Sequence, residues 1–327
     1  MNRARWKLQS PPGVGAVAVI GVFAADADDL TLALGGLGIA PLAVGAIGVR
    51  NILEIDEGVV ARWSATSAAI MPHGGGAVVR AVCEALNARG IPEAERIDPR
   101  IAYPEASNGI EAAMLAALSI AASPLAVDLL LDQPRRWGGT PYGGDDARDR
   151  ILKRLIEPPL VVALGASNIG KSTLANALAG RHVSLVADEP GTTRDHVGVM
   201  LNLAGVVVRY VDTPGMREGA PAVEAEAVRL VRELVARADL ILLCVDGTSH
   251  LVDPTGASPG TNVLRVGLRS DLGPPGERVD VAVSVRQGES ISELVLAIRE
   301  RLIPAAVLAD GRPWRFWNEG EVEGGGS

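Results

Sequence analysis

The sequence is poor in aromatic residues, in cysteine and in basic charge. Aromatic residues make up 3% of the 327 positions, so the core must be built from aliphatic side chains. The net charge of −8 argues against broad electrostatic binding of nucleic acid, which requires clustered lysine and arginine. The two cysteines, Cys83 and Cys244, lie in apolar runs, which favours buried thiols over a disulfide or a metal site.

Long hydrophobic runs are lacking as well. No stretch reaches the roughly 20 apolar residues that a membrane-spanning helix requires, and no continuous apolar segment of a signal peptide follows the basic start of the chain. We therefore expect a cytoplasmic protein with no membrane partner. The chain does have 48% apolar residues and 38 glycines, which predict a sizeable aliphatic core with many tight loops.

Residues 1–105 are expected to form a small α/β domain. Short apolar runs that alternate with glycine and proline predict strands at Val17–Phe23 and Val59–Ile70. The stretch Ala77–Ala88 has the pattern of a helix. This domain would precede the rest of the fold.

Residues 106–156 are expected to be a reduced helical segment with a linker. The alanine- and leucine-rich stretch Ile110–Leu131 has helical spacing, and Ser123-Pro124 would divide it into two short helices. The stretch Pro134–Asp149 is rich in glycine, proline and charge, which is typical of a linker. A short lead-in helix would follow at Arg150–Ile156.

Residues 157–305 alternate buried strands with helices, which predicts a doubly wound, mostly parallel sheet. The expected strands are Leu160–Leu164, the edge strand Val197–Leu203, Val206–Val211, Leu240–Val245, Val263–Val266 and Val279–Val283. The expected helices are Lys171–Ala179, Val223–Ala236 and Ser290–Leu302. Residues 306–327, rich in glycine and glutamate at their end, are expected to be a disordered tail.

A phosphate-binding loop stands between the first of these strands and the first helix. Residues Gly165 to Ser172 fit the pattern G-x-x-x-x-G-K-[ST], whose backbone N–H groups surround phosphates. Lys171 would reach the β- and γ-phosphates, and the Ser172 hydroxyl would bind Mg²⁺. The nucleotide-binding residues expected from this loop are Asn168, Ile169, Gly170, Lys171, Ser172 and Thr173.

Two further motifs follow at the spacing of a nucleotide switch. Asp212-Thr213-Pro214-Gly215 ends an apolar strand, so that Asp212 can hold Mg²⁺ through water and Gly215 can turn its N–H to the γ-phosphate. Thr192 and Thr193 lie in the loop between, where Thr193 can complete the Mg²⁺ shell when the γ-phosphate is present. The sequence therefore predicts a P-loop GTPase domain that uses GTP and Mg²⁺.

The base-recognition motif is degenerate. Leu268-Arg269-Ser270-Asp271 stands where GTPases have Asn-Lys-x-Asp. Asp271 can accept both guanine N–H groups and the stem of Arg269 can lie over the base, but Leu268 cannot make the hydrogen bonds of asparagine. We therefore expect a guanine preference with weakened affinity, completed by the backbone N–H groups from Ser284 onward.

At these motifs the chain resembles the TrmE–Era–Der group of GTPases, most closely the tRNA-modification GTPases of the MnmE type. Residues 191–195 read Gly-Thr-Thr-Arg-Asp and residues 212–218 read Asp-Thr-Pro-Gly-Met-Arg-Glu, close to the patterns of that family. Asn168 stands where the family binds a potassium ion, and Glu224 falls where it carries its catalytic glutamate. The resemblance implies K⁺-stimulated GTP hydrolysis, in which carbonyls near 187–189 complete the K⁺ site and Glu224 orients water.

The resemblance extends to the N-terminal residues. Ser10 to Ile20 resemble the opening strand of the family, and Pro72-His73-Gly74-Gly75 resemble its Gly-His-Gly-Gly element. The resemblance implies a homodimer through this domain and a tetrahydrofolate derivative as its ligand. It also implies tRNA and a tRNA-modification protein as partners. No cysteine follows Cys244, whereas the family ends in Cys-x-Gly-Lys, so we expect a truncated relative whose modification chemistry is in doubt.

Two alternatives stay open from the sequence. One is a GTPase that binds ribosomal RNA or ribosomal particles, as Era and Der relatives do. The other is a nucleotide-binding regulatory scaffold with little hydrolysis, which Leu268 makes conceivable. Met216 occupies the position at which Ras-type GTPases carry their water-positioning glutamine, so hydrolysis must rely on other groups.

Overall fold

The computed structural model describes residues 4–10, 15–139, 142–182, 198–213, 223–250 and 260–317. In these ranges the chain forms two β-sheets with a helical segment between them in sequence. The α/β class that the sequence predicts is confirmed, and the described part of residues 157–305 forms the doubly wound, mostly parallel sheet expected of them. In the same ranges, no helix combines the length and the apolar character that crossing a membrane demands.

The N-terminal sheet has five antiparallel strands in the order β1-β2-β5-β4-β3. Its strands are β1 (Arg5–Leu8), β2 (Ile20–Phe23), β3 (Ile47–Ile52), β4 (Asp56–Arg62) and β5 (Ser67–Met71). Helices α1 (Ala27–Gly36) and α2 (Gly76–Ala88) accompany it. Leu30, Ile70 and Leu86 are completely buried between sheet and helices.

The single strand expected at Val59–Ile70 is wrong, because the chain reverses within it. β4 and β5 pair antiparallel, with Val60 opposite Ile70. The Ser64 hydroxyl closes the turn by accepting from the backbone N–H of Thr66 at 3.1 Å. A polar Ser-Ala-Thr-Ser run between two apolar runs is the sequence signal for this hairpin.

The described residues between the two sheets form five short helices, and the helical segment here means this whole stretch. They are α3 (Pro99–Ala102), α4 (Gly109–Ile120), α5 (Pro124–Leu131), α6 (Gln133–Gly139) and α7 (Asp146–Lys153). The expected division at Ser123-Pro124 is confirmed, since Ser123 is the N-cap residue of α5. The expected linker Pro134–Asp149 is largely helical instead: Asp132 pairs with Arg135 and Arg136 beside α6, and Asp145 caps α7 by accepting from the N–H of Arg148.

The second sheet has six strands in the order β11-β10-β9-β6-β8-β7, all parallel except the edge strand β7. Its strands are β6 (Leu160–Leu164), β7 (Val199–Leu203), β8 (Val206–Asp212), β9 (Leu240–Val245), β10 (Asn262–Leu268) and β11 (Val281–Val283). Its helices are α8 (Lys171–His182), α9 (Val223–Arg237) and α10 (Ile291–Leu302). The order and type of these elements agree with the sequence prediction, because β6 and β9, the central strands, are buried along their whole length and need continuous apolar runs.

The described part of the predicted disordered tail is ordered. Helix α11 (Ala305–Ala309) and residues 310–317, here called the C-terminal strap, return to the helical segment. Trp314 is 1% exposed, and its backbone N–H donates to Gln133 Oε1 at 2.8 Å. The buried Arg148 donates to the carbonyl of Pro313 at 3.0 Å. The boundaries expected near residues 105, 156 and 305 stay predictions.

Candidate nucleotide-binding site

The phosphate loop joins β6 to α8 with a backbone that requires glycine. Gly165 has φ +156°, and a Cβ there would lie 2.5 Å from the carbonyl oxygen of Cys244 on β9. Gly170 has φ +109°, just before the first residue of α8. Asn168 adopts the left-handed conformation with φ +65°, which asparagine tolerates better than most residues. The loop is thus shaped by close approach to the sheet.

Lys171 lies inside this loop. Its side chain is nearly buried, and Nζ donates to the carbonyls of Gly165 at 3.0 Å and Ala166 at 2.9 Å. Burial lowers the pKa of the Lys171 ammonium, while the negative charge of Asp212 acts against that shift. The cation is therefore held against the loop that surrounds phosphates in this motif.

Ser172 and Asp212 meet beside the loop, as the sequence predicts for a Mg²⁺ site. Ser172 Oγ donates to Asp212 Oδ2 at 2.6 Å. Asp212 Oδ1 is buried and has no hydrogen-bond partner among the residues that the structure describes. A hydroxyl and a carboxylate with an unsatisfied oxygen are the hard ligands that Mg²⁺ prefers, so these residues fit the ion.

A cavity of about 190 Å³ lies beyond the loop, at the ends of β10 and β11. It is lined by Ile169, Gly170, Thr173, Leu268, Arg269, Asp271, Leu272, Val285 and Arg286. The expected base-reading residue Asp271 is held by Ser284, whose hydroxyl donates to Asp271 Oδ1 at 2.8 Å. We expected Ser284 to act through its backbone N–H; the structure adds a side-chain role for this completely buried residue.

Arg269 links the base side of the site to the phosphate side. It has φ +55°, and its Nη2 donates to the carbonyl oxygen of Asn168. Its Nη1 lies 3.3 Å from Oδ2 of Asp246, a buried residue that the sequence reading did not select. Asp246 directly follows the buried strand β9, and that position at the carboxyl edge of the sheet is the signal that could have found it.

Several expected site residues lie outside the described part of the chain. These are Thr192, Thr193, Gly215, Met216 and the carbonyls of residues 187–189. Glu224 lies in the first turn of α9, but its side chain is outside the described part. Their roles stay predictions.

In the N-terminal domain, His73 lies beside Asp56, the first residue of β4. The His73 backbone N–H donates to Asp56 Oδ2 at 2.8 Å, and Nδ1 lies 2.9 Å from Oδ1. These hydrogen bonds lower the pKa of Asp56, and the bond from the His73 backbone N–H has the largest effect. Folate binding near His73 stays a prediction.

Both cysteines are free thiols. Cys244 is buried, as expected, whereas Cys83 is only half-buried. Burial raises the pKa of Cys83 to about 11 and that of Cys244 to about 12, so neither thiol is ionised at neutral pH. Among the described residues, no group of three histidine, cysteine or acidic side chains is placed to hold a metal ion.

Comparisons with known proteins show which families this chain is similar to. The family model for 50S ribosome-binding GTPases matches residues 160–265, so this span is a GTPase domain. The tRNA modification GTPase MnmE of Acidiphilium cryptum is 45% identical over 150 residues, which cover 46% of this chain and 34% of the relative. MnmE of Nitratidesulfovibrio vulgaris is 45% identical over 163 residues, with coverages of 46% and 34%. The match spans about a third of the length of these relatives.

The predicted resemblance to tRNA-modification GTPases of the MnmE type is therefore confirmed over about half of the chain. Among solved structures, Era of Aquifex aeolicus bound to GDP and aluminium fluoride is 26% identical. That likeness covers 44% of this chain and 56% of the Era chain, with a TM-score of 0.35.

Proposed function

We propose that this protein binds GTP with Mg²⁺ and hydrolyses it to GDP and phosphate. The observation that supports this proposal best is the contact between Ser172 and Asp212 beside the buried Lys171. It is supported by the cavity on the other side of the loop, where Ser284 orients the carboxylate of Asp271. Phosphate, metal and base contacts would thus lie along one edge of the sheet.

The residues of the chain divide the work of the reaction between them. Lys171 and the loop N–H groups would neutralise and position the phosphates. Ser172 and Asp212 would hold Mg²⁺, which when bound supplies positive charge to the phosphate oxygens. Asp271 would accept from the guanine N–H groups, and Ser284 restricts its carboxylate to one orientation. Binding and orientation at these residues need no covalent step.

Met216 replaces the water-positioning glutamine of Ras-type GTPases. We propose that K⁺ and Glu224 take over its role in hydrolysis. Asn168 is exposed at the rim of the loop, where its amide oxygen can help to bind K⁺. Glu224 is proposed to orient the attacking water, which rests on the resemblance to MnmE. K⁺ would offset charge that develops between the β- and γ-phosphates in the transition state.

Multiple-turnover hydrolysis of GTP in K⁺ and in Na⁺ tests this proposal. K⁺ should accelerate turnover, whereas Na⁺, with shorter ligand distances, should not. Asn168→Ala should remove the K⁺ effect and keep nucleotide binding. Glu224→Ala should lower kcat at saturating GTP with little change in affinity, because the contact is made mainly in the transition state. Equal rates in both salts would refute the role of K⁺.

We propose a tRNA-linked process for this activity, since the relatives named above are tRNA modification GTPases. A homodimer through the N-terminal sheet, a tetrahydrofolate ligand and a modification partner protein belong to the same proposal. The second candidate is a GTPase of ribosomal particles, which the description of the family model favours. Pull-down of tRNA against ribosomal particles, with GTP or GDP bound, distinguishes them.

A further inference from the structure

The base side of the site lacks the asparagine that usually fixes it. Leu268 stands in that place, 2% exposed, and its side chain has no polar atom with which to hold a neighbouring loop. The next residues still form an ordered turn, a 3₁₀ helix at Ser270–Leu272 that carries Asp271. Another contact must therefore connect this turn to the phosphate loop.

Arg269 makes that connection. Its guanidinium donates through Nη2 to the Asn168 carbonyl in the phosphate loop. Arg269 also lines the cavity, and its side chain is 44% exposed. A long side chain with this exposure keeps one geometry only if its charged end is anchored, because free rotation of its bonds is otherwise favoured.

Asp246 supplies the anchor. Its side chain is 4% exposed, and Oδ2 lies 3.3 Å from Arg269 Nη1. Its other oxygen, Oδ1, accepts from the backbone N–H of Thr248 at 2.9 Å, from the Thr248 hydroxyl at 2.8 Å and from the Ser249 hydroxyl at 2.9 Å. The bonds to Oδ1 thereby fix the orientation of the Asp246 carboxylate, and Oδ2 is directed at Arg269.

The electrostatics agree with an ionised Asp246. Burial raises the pKa of this carboxyl, but the hydrogen bonds from Thr248 and Ser249 and the charge of Arg269 outweigh burial and lower its pKa. A buried carboxylate with these partners stays charged at neutral pH. Both partners of the ion pair are therefore charged at neutral pH.

We propose that Asp246 is a positioning residue for guanine recognition, which fixes Arg269 between the phosphate loop and the base cavity in place of the missing asparagine. This inference rests on the proposed function, since it concerns how the same site holds the base. Asp246 touches neither base nor phosphate; it acts through Arg269. It should raise affinity for GDP and GTP alike, because the base is common to both.

The competing explanation is that Asp246 only caps its own turn. In that case the bonds to Thr248 and Ser249 would account for its burial, and Arg269 would be incidental. Ser249→Ala removes the two bonds that the Ser249 hydroxyl makes with Asp246, one donated to Oδ1 and one accepted from the backbone N–H at 3.1 Å, and does not touch the pair with Arg269. Glu277→Gln removes the charge of a half-buried acid that pairs with His250 and does not line the base cavity. Both serve as controls for Asp246→Asn.

Titration of the full chain with fluorescent GDP tests the inference. Asp246→Asn should weaken GDP and GTP binding about tenfold each, the effect of one charge-assisted hydrogen bond, while kcat at saturating GTP is kept. Ser249→Ala and Glu277→Gln should stay within about twofold of the wild type. The double variant Asp246→Asn/Arg269→Met should bind GDP no more weakly than Arg269→Met alone, since both remove one interaction.

Additive losses in the double variant, or an equal loss in Ser249→Ala, would overturn the positioning role. Unchanged GDP affinity in a folded Asp246→Asn protein would do the same. If that variant does not fold, Arg269→Met decides, since it keeps the stem and removes only the anchored end; wild-type affinity in it contradicts the proposal. A wild-type protein that binds no guanine nucleotide would instead refute the proposed function, and this inference with it.

Discussion

At the scale of single residues, the contact between Asp271 and Ser284 decides how a base can be read. The Ser284 hydroxyl donates to Asp271 Oδ1. Because this bond fixes the carboxylate, it also fixes the direction of Oδ2. Asp271→Asn should reverse the preference from guanine toward xanthine, because the amide donates where the carboxylate accepted. Loss of two charge-assisted bonds should weaken GDP binding by about 100-fold. Competition between GDP and xanthosine diphosphate measures the change.

Glu293→Gln, an exposed acid on α10, is the matched control for lost charge. It should leave the GDP preference as it is. If Asp271→Asn also leaves the GDP preference as it is, Asp271 does not read the base, and the degenerate motif lies elsewhere in the chain.

At the scale of elements, the hairpin of β7 and β8 is fixed to the helical segment. Ser123 Oγ accepts from the backbone N–H of Val207 at 2.9 Å, and Leu125 packs on Gly205 in the turn. Gly205 has φ +90°, and a Cβ there would lie 2.7 Å from Leu125 Cγ. Gly205→Ala should lower the free energy of unfolding by about 1–3 kcal/mol through strain and overpacking.

Urea unfolding followed by circular dichroism measures this loss. Gly180→Ala is the control: it lies in helix α8, no described atom outside the helix backbone lies within 4 Å of its added methyl, and it should be neutral or stabilising by up to about 1 kcal/mol. A Gly205→Ala protein as stable as the wild type would show that the hairpin does not depend on close contact with α5.

At the scale of the whole molecule, the C-terminal strap joins the end of the chain to the helical segment. Trp314 is buried there, and Trp137 Nε1 donates to its carbonyl at 3.1 Å. Trp314→Ala should cost about 3–5 kcal/mol of unfolding free energy, the usual loss for a buried tryptophan. Trp317→Ala, at a half-buried ring packed on Trp137, should cost clearly less. Chemical denaturation of both variants measures the difference. Equal losses of unfolding free energy would contradict a special role of the buried Trp314 in holding the strap.

Local pattern was sufficient for much of the GTPase domain. Continuous apolar runs at Leu160–Leu164 and Leu240–Val245 identify central parallel strands, because such strands are buried on both faces. The glycine spacing from Gly165 to Ser172 identifies the phosphate loop, since a Cβ at Gly165 would collide with β9 and Gly170 has a positive φ that favours glycine. Lys171 and Ser172 follow from the same spacing, whereas Asp212 and Asp271 follow from their own motifs after two later strands.

Contacts between distant segments needed the tertiary structure. The charged and glycine-rich stretch before α7 indicates a linker by composition, yet Arg148 binds carbonyls more than 160 positions away in the strap. Asp246 and Arg269 are 23 positions apart and become an ion pair only because β9 and β10 are parallel neighbours. The sequence by itself determined the local conformations and the chemistry of the loop; long-range packing decided which side chains hold that loop in place, because such pairings leave no fixed spacing along the chain.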